Sequence, residues 1–134
     1  MYMNKKILVC THGRFGEELI KSAQMIGGNA FKNIKAVSLL PSMSMDDYYA
    51  AVAKELDKDA LNVCFVDLFG GTPCNTVLNL SREYNMEILC GVNMPMLLEV
   101  LTMNEDTEID DLKERCVAAY GSNGFDVLKR LKGE

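Results

Sequence analysis

Leu61-Asn62-Val63-Cys64-Phe65-Val66 runs directly into Asp67-Leu68-Phe69-Gly70-Gly71-Thr72-Pro73. The first six residues hold a single polar side chain, far too few for a strand with one wet face. A run of this kind belongs to a sheet buried on both sides, the situation of parallel strands covered by helices. Asp67 ends the apolar run, and two glycines allow a tight turn with exposed N–H groups. Thr72-Pro73 then reads as a helix start, with a hydroxyl cap followed by proline at the first helical position.

The same alternation extends in both directions. Ile7 to Cys10, Ile34 to Leu40 (closed by Pro41) and Met86 to Val92 read as further strands. Helical patterns cover Glu17 to Ile26, stopped by Gly27-Gly28, then Pro73 to Tyr84 and Pro95 to Met103. Ser44 can cap a helix with Asp47 three residues on, and Tyr48, Val52 and Leu56 supply its apolar stripe. A longer helix is expected from Ile109 to Leu131, with Gly121 and Gly124 as the points where it can break. Strand–helix alternation with near-continuous apolar strands predicts one α/β domain over residues 1–134. Its expected architecture is a doubly wound, mainly parallel four- to five-stranded sheet with helices on both faces. The acidic stretch Asn104 to Asp111 reads as a solvated loop.

Composition narrows the classes. The 134 residues suffice for one domain with a proper core, and a net charge of −5 argues against nonspecific nucleic-acid binding while leaving room for a basic protein partner. No apolar run is long enough to span a bilayer, and the four apolar residues Ile7 to Cys10 that follow Met1 to Lys6 are too few for a signal-peptide core. Five cysteines occur, with no Cys-x-x-Cys pair. They read as buried thiols of a reducing cytoplasm, not as a disulfide framework or a zinc site. With a single histidine, His12, no metal centre is expected and no cofactor is called for.

That histidine stands in Ile7-Leu8-Val9-Cys10-Thr11-His12-Gly13-Arg14-Phe15-Gly16, where a strand breaks into a glycine-bounded turn. In an open parallel sheet, ligands bind outside the carboxyl ends of the strands. Asp67 and the Gly70-Gly71-Thr72 turn belong to the same edge, as does Cys90-Gly91-Val92-Asn93-Met94-Pro95. Each turn alone can be a plain turn with a cap. Together they bring a histidine, a carboxylate and helix N-termini to one edge. Imidazole is a good nucleophile toward phosphorus when one nitrogen is unprotonated, and a carboxylate on the other nitrogen fixes that tautomer. His12 and Asp67 are therefore the expected catalytic pair. Thr11, Gly13, Gly70, Gly71 and Thr72 are expected to supply hydroxyl and N–H groups to the phosphoryl oxygens.

Thr11-His12-Gly13, Asp67-Leu68-Phe69-Gly70-Gly71-Thr72-Pro73 and Gly91-Val92-Asn93-Met94-Pro95-Met96-Leu97, in register from Lys6 to about Gly124, resemble the mannose-family IIA component of the bacterial phosphoenolpyruvate-dependent sugar phosphotransferase system. The resemblance implies a cytoplasmic homodimer with an exchanged carboxy-terminal segment. It implies that His12 receives a phosphoryl group from the phosphocarrier HPr, on Nε2, and passes it to the IIB component. The membrane components IIC and IID are then served indirectly. Asp67 would hold the other ring nitrogen, and Thr72 with the Gly70–Gly71 turn would line the phosphate site. IIB is expected on a separate polypeptide.

Other readings fit less well. The phosphoryl donor of a dihydroxyacetone kinase is the nearest alternative, but its signature lacks the Gly-Gly-Thr-Pro and Gly-Val-Asn-x-Pro segments. A histidine phosphatase needs an arginine before the histidine and a second histidine. A flavodoxin-like binding module wants a Ser/Thr-rich first loop, and a receiver domain wants an acidic pair after the first strand. The transported sugar is not written in this chain.

Overall fold

A computed structural model of the chain describes residues 4–104 and 106–133. Its elements are β1 (Asn4–His12), α1 (Phe15–Gly27), β2 (Ile34–Leu39), α2 (Met45–Glu55), β3 (Ala60–Val66), α3 (Thr72–Leu80), β4 (Met86–Cys90), α4 (Met94–Leu101), α5 (Ile109–Ser122) and α6 (Val127–Leu131). The strands form one sheet in the order β2-β1-β3-β4, with every neighbouring pair parallel.

Period-two alternation divides the strand residues between two cores. Ile7, Val9, Val63 and Phe65 face α1, α4 and α5, whereas Leu8, Cys10, Cys64 and Val66 face α2 and α3. All eight of these side chains are fully buried. Fully burying an aliphatic or aromatic side chain contributes roughly 1.5–3 kcal/mol, so the central strands carry much of the driving force for folding. The lone polar residue of the β3 run, Asn62, is buried too, and it staples the far end of the sheet. It accepts from the Asp57 N–H at 2.9 Å and donates to the Asp57 carbonyl at 2.8 Å.

Most element boundaries move by a few residues from the sequence expectations, each for a local reason. β1 extends through Lys5 and Lys6 because Asn4, Lys5 and Lys6 pair with Ala60, Leu61 and Asn62. α1 starts at Phe15 because the Thr11 hydroxyl accepts the Gly16 N–H at 2.9 Å, an end group supplied by the strand. Ser44 and Asp47 form the expected reciprocal capping box, and Tyr48, Val52 and Leu56 are buried. Thr72 is not the cap of α3. Gly71 holds that position in an extended conformation, so Thr72 and Pro73 are the first two helical residues. The expected helix to Leu131 breaks after Ser122, and Asp126 caps a separate short helix by accepting from the Lys129 N–H at 3.0 Å. Four of the five cysteines are buried as expected, but Cys90, at the end of an edge strand, is exposed.

The chain passes from β1 outward to β2, then returns across β1 to β3 and β4. The point where its direction reverses therefore lies between the carboxyl ends of β1 and β3. In doubly wound sheets that crevice is where ligands bind.

Candidate active site

His12 is the last residue of β1 and Asp67 follows the last residue of β3, so the two flank the reversal point. One carboxylate oxygen holds the histidine twice. Asp67 Oδ2 accepts from the His12 backbone N–H at 3.0 Å and lies 3.0 Å from the ring Nδ1. An ionised carboxylate only accepts, so in the neutral imidazole this contact assigns the proton to Nδ1 and the lone pair to Nε2. Both bonds come from one oxygen to one residue, which fixes the ring's position as well as its tautomer. The other oxygen, Oδ1, is buried with no hydrogen-bond partner among the described residues. The carboxylate's charge is thus directed onto His12 instead of being shared among several donors. The histidine side chain is 47 % exposed and that of Asp67 17 %, so the pair is anchored from below and open above.

The Gly70–Gly71 turn seats the other edge of the ring. A Cβ built on Gly71 would lie 2.7 Å from His12 Cε1 and 3.3 Å from Nε2, so only glycine lets the main chain come this close. Gly70 has φ +83°, a left-handed conformation suited to glycine, and the Asn75 amide donates to its carbonyl at 3.2 Å. Among the described residues no side chain caps the first turn of α3. Its amides and positive dipole end therefore open beside the Nε2 edge, with the half-buried Thr72 at its start.

The remaining predicted site residues have other duties. Thr11 is completely buried, and its hydroxyl is engaged by the Gly16 N–H and the Gly13 carbonyl. It builds the loop from inside and does not line the site. Gly13 (φ +58°) donates its N–H to the Leu39 carbonyl at 2.8 Å, so that donor is also committed. The loop after β4 is a brace. Gly91 and Val92 donate to the Val66 carbonyl at 2.9 and 3.1 Å, the Tyr120 ring packs on Gly91, and Asn93 caps α4 through the Met96 N–H at 3.0 Å. Of the two helix N-termini expected here, only that of α3 is left open.

Sequence reasoning missed the surroundings. A shallow depression of about 360 Å³ lies beside His12 and Gly13, walled by Leu39, Leu40, Pro41 and Met43 from the β2–α2 connection. Phe15 at the start of α1 and Leu68 and Phe69 on the loop that follows β3 stand exposed, Phe69 at 80 %. Beneath the site, burial pushes the Cys10 thiol up to about 12, and it pushes the Tyr48 hydroxyl up as well. Tyr48 instead donates to the Val37 carbonyl at 2.9 Å. Both groups therefore stay protonated at neutral pH.

The fold and site are those of a doubly wound α/β protein with a histidine–carboxylate pair at the reversal point of its sheet, and comparison with known proteins shows its family. Residues 6–117 match the family model described as the PTS system fructose IIA component. The chain belongs to this mannose-type IIA family of the sugar phosphotransferase system. It is 31 % identical to the fructose-specific EIIA component of Bacillus subtilis (strain 168), over 79 % of this chain and 75 % of that protein. It is also 31 % identical to the mannose-specific EIIAB component of Escherichia coli (strain K12), over 98 % of this chain but only 41 % of that longer protein. The fold matches the crystal structure of the EIIA component from Streptococcus agalactiae with a TM-score of 0.82 and 27 % identity, covering 93 % of this chain and 98 % of that one. Membership implies phosphoryl transfer in sugar uptake, the general work of IIA phosphotransferases, which partner HPr and IIB proteins. Among the described residues no helix is long and apolar enough to cross a membrane.

Proposed function

We propose that His12 is the phosphoryl carrier of this chain, taking the group from phospho-HPr on Nε2 and passing it to a IIB component during sugar uptake. One observation carries the reading: the 3.0 Å contact that pins Nδ1 to Asp67 while the Nε2 edge lies against the uncapped start of α3. In the step, the donor's N–P bond breaks as the Nε2–P bond forms. The proton stays on Nδ1, and Asp67 offsets the positive charge that the imidazole gains. The turn of Gly70, Gly71 and Thr72 faces the phosphoryl oxygens with N–H groups and a hydroxyl, so the protein works by positioning and by stabilising charge. Onward transfer to IIB reverses the same motions. IIC and IID receive the benefit only through IIB, and the setting is the cytoplasm.

The exposed Phe15, Leu68 and Phe69 and the apolar depression support docking of protein partners over the histidine. A homodimer is part of the proposal. Among the described residues no strand pairs with the outer edge of β4, and Val117, Tyr120, Val127, Leu128 and Leu131 are each more than half exposed along α5 and α6. An open strand edge beside an apolar helical segment is a surface that a second copy can cover.

With phosphoenolpyruvate, enzyme I and HPr, the protein is expected to gain one phosphate that is labile to acid and stable to base. His12→Ala should gain none. Stoichiometric labelling of that variant, or an acid-stable phosphate, would overturn the assignment.

A further inference from the structure

One cation stands on the loops that surround His12. The segments joining each strand to the next helix are residues 13–14, 40–44, 67–71 and 91–93, and Arg14 is the only lysine or arginine in them. Its position is unfavourable from the helix's point of view. Arg14 occupies the N-cap of α1, where a side chain that accepts a hydrogen bond is preferred, and a guanidinium only donates. The end group that α1 does use comes from Thr11, through the Gly16 N–H. The arginine side chain therefore supplies no cap to the helix.

Its present partner is Glu17. Nη1 donates to the two carboxylate oxygens at 3.4 and 3.1 Å, and the Arg14 side chain is 63 % exposed. Glu17 is fixed from the other side, because the Ser38 hydroxyl near the end of β2 donates to the same Oε2. That bond first, and the charge of Arg14 second, hold the Glu17 carboxyl below its ordinary range. The carboxylate is thus a fixed berth, and the arginine on it is a weakly held, solvent-facing pair.

A phosphoryl group on Nε2 changes the balance. It adds up to two negative charges near Asp67, and the turn at the start of α3 answers them with neutral donors alone. Two peptide links separate residues 12 and 14, so their Cα atoms lie at most about 7.6 Å apart. An arginine side chain spans that gap, and its planar fork matches phosphoryl oxygens. We propose that Arg14 is a phosphoryl-binding cation that rests on Glu17 while His12 is free and moves to the phosphoryl oxygens when His12 is loaded. Glu17 keeps the guanidinium out of the empty site, so the unloaded protein presents a less cationic surface to stray anions. The inference rests on His12 being the phosphoryl carrier.

The test needs no protein donor. Phosphoramidate transfers its phosphoryl group to accessible imidazoles, so His12 of the full chain can be loaded chemically. A phosphorus-31 NMR titration then reads the pH at which the bound group takes up its next proton. A cation beside the dianion lowers that midpoint. Arg14→Gln is expected to raise it by about half a pH unit, the scale of an exposed charge pair. Glu17→Gln, which frees Arg14, should lower it, and most of that shift should vanish in the double variant because it acts through the arginine. An unmoved midpoint in Arg14→Gln, or a Glu17→Gln shift that persists undiminished in the double variant, overturns the proposal. So does a failure of His12 to load. If His12 loads from phosphoramidate and not from phospho-HPr, the carrier function falls, while the titration still decides the role of Arg14.

Discussion

Gly71→Ala isolates the contact on which the site geometry depends. At φ −77° and ψ 171° the backbone accepts alanine without strain, so any effect is due to the added methyl. That methyl would sit 2.7 Å from His12 Cε1, whereas carbon atoms rest about 3.5–4.0 Å apart. The ring must retreat by about 1 Å or the turn must open by as much. Either movement spoils one of the two features on which the proposed role of Nε2 rests. A retreating ring stretches the 3.0 Å bond from Nδ1 to Asp67 toward a distance at which no hydrogen bond remains. An opening turn draws the α3 amides away from Nε2. Misplacement of about 1 Å costs on the order of 10²-fold in rate. The expected outcome is therefore a fall in phosphoryl transfer from phospho-HPr of about 10²-fold, measured by rapid quench. The loss of stability should be under about 1 kcal/mol, since glycine is only modestly better than alanine at a cap. Gly70→Ala is the counterpart. Nothing lies within 4 Å of its Cβ position, but φ is +83°, so it should cost about 1–2 kcal/mol in denaturant unfolding with a smaller effect on rate. A Gly71→Ala protein that transfers at the parent rate, with its His12 Nδ1 nitrogen resonance unmoved, would refute the argument.

Three further outcomes follow from the geometry. Asp67→Asn should keep the fold, because the residue lies at a strand end, and slow transfer by roughly two to four orders of magnitude; unchanged rates would reduce Asp67 to a turn residue. Stability should fall as pH rises from about 9 toward 12, because burial raises the Cys10 thiol to about 12 and Cys116 to about 11 from 9.0. In that window the unfolded chain releases protons that the folded chain retains, so the slope of unfolding free energy against pH is negative, and Cys116→Ala should flatten it. Light scattering at low micromolar concentration should give a dimer, and deletion of everything after Gly121 should abolish it; a parent chain that is monomeric at that concentration would count against the exchanged segment.

The features legible in the sequence are those set by period and punctuation. Leu61 to Val66 reads as a doubly buried strand because both of its faces meet helices, and residues of the run divide between the two cores as the alternation requires. His12 and Asp67 were legible for a related reason: each ends an apolar run, so their convergence follows once the strands are parallel neighbours. What escaped were the contacts made across turns. Thr11 resembles a ligand-binding hydroxyl in the sequence, yet it lies inside the loop because the Gly16 N–H needs an acceptor. Thr72 resembles a cap, yet Gly71 precedes it in extended backbone and takes that place. Leu39 to Met43 gave no signal, since a strand end and a proline do not reveal that they wall a depression beside a histidine on the neighbouring strand. In the last segment, Val127, Leu128 and Leu131 have a helical spacing that suggested a continuous stripe, but Asp126 offers a stronger local start.

That last segment also indicates which functions can be separated. Residues 121–133 are all exposed, so the core on either face of the sheet does not depend on them. The proposed phosphoryl site is assembled within one chain from the ends of β1 and β3 and the start of α3. The C-terminal helices reach it only indirectly, through Tyr120 on Gly91 and the bonds from Gly91 and Val92 to Val66. Truncation after Gly121 keeps Tyr120. The shortened chain is therefore expected to lose the α6 part of the apolar surface proposed for dimerisation (Val127, Leu128 and Leu131), and with it the dimer, while its His12 still accepts phosphate. If that truncation abolished phosphorylation of a chain that remained folded, a second copy would have to complete the site, and the account of a site built within one subunit would fail.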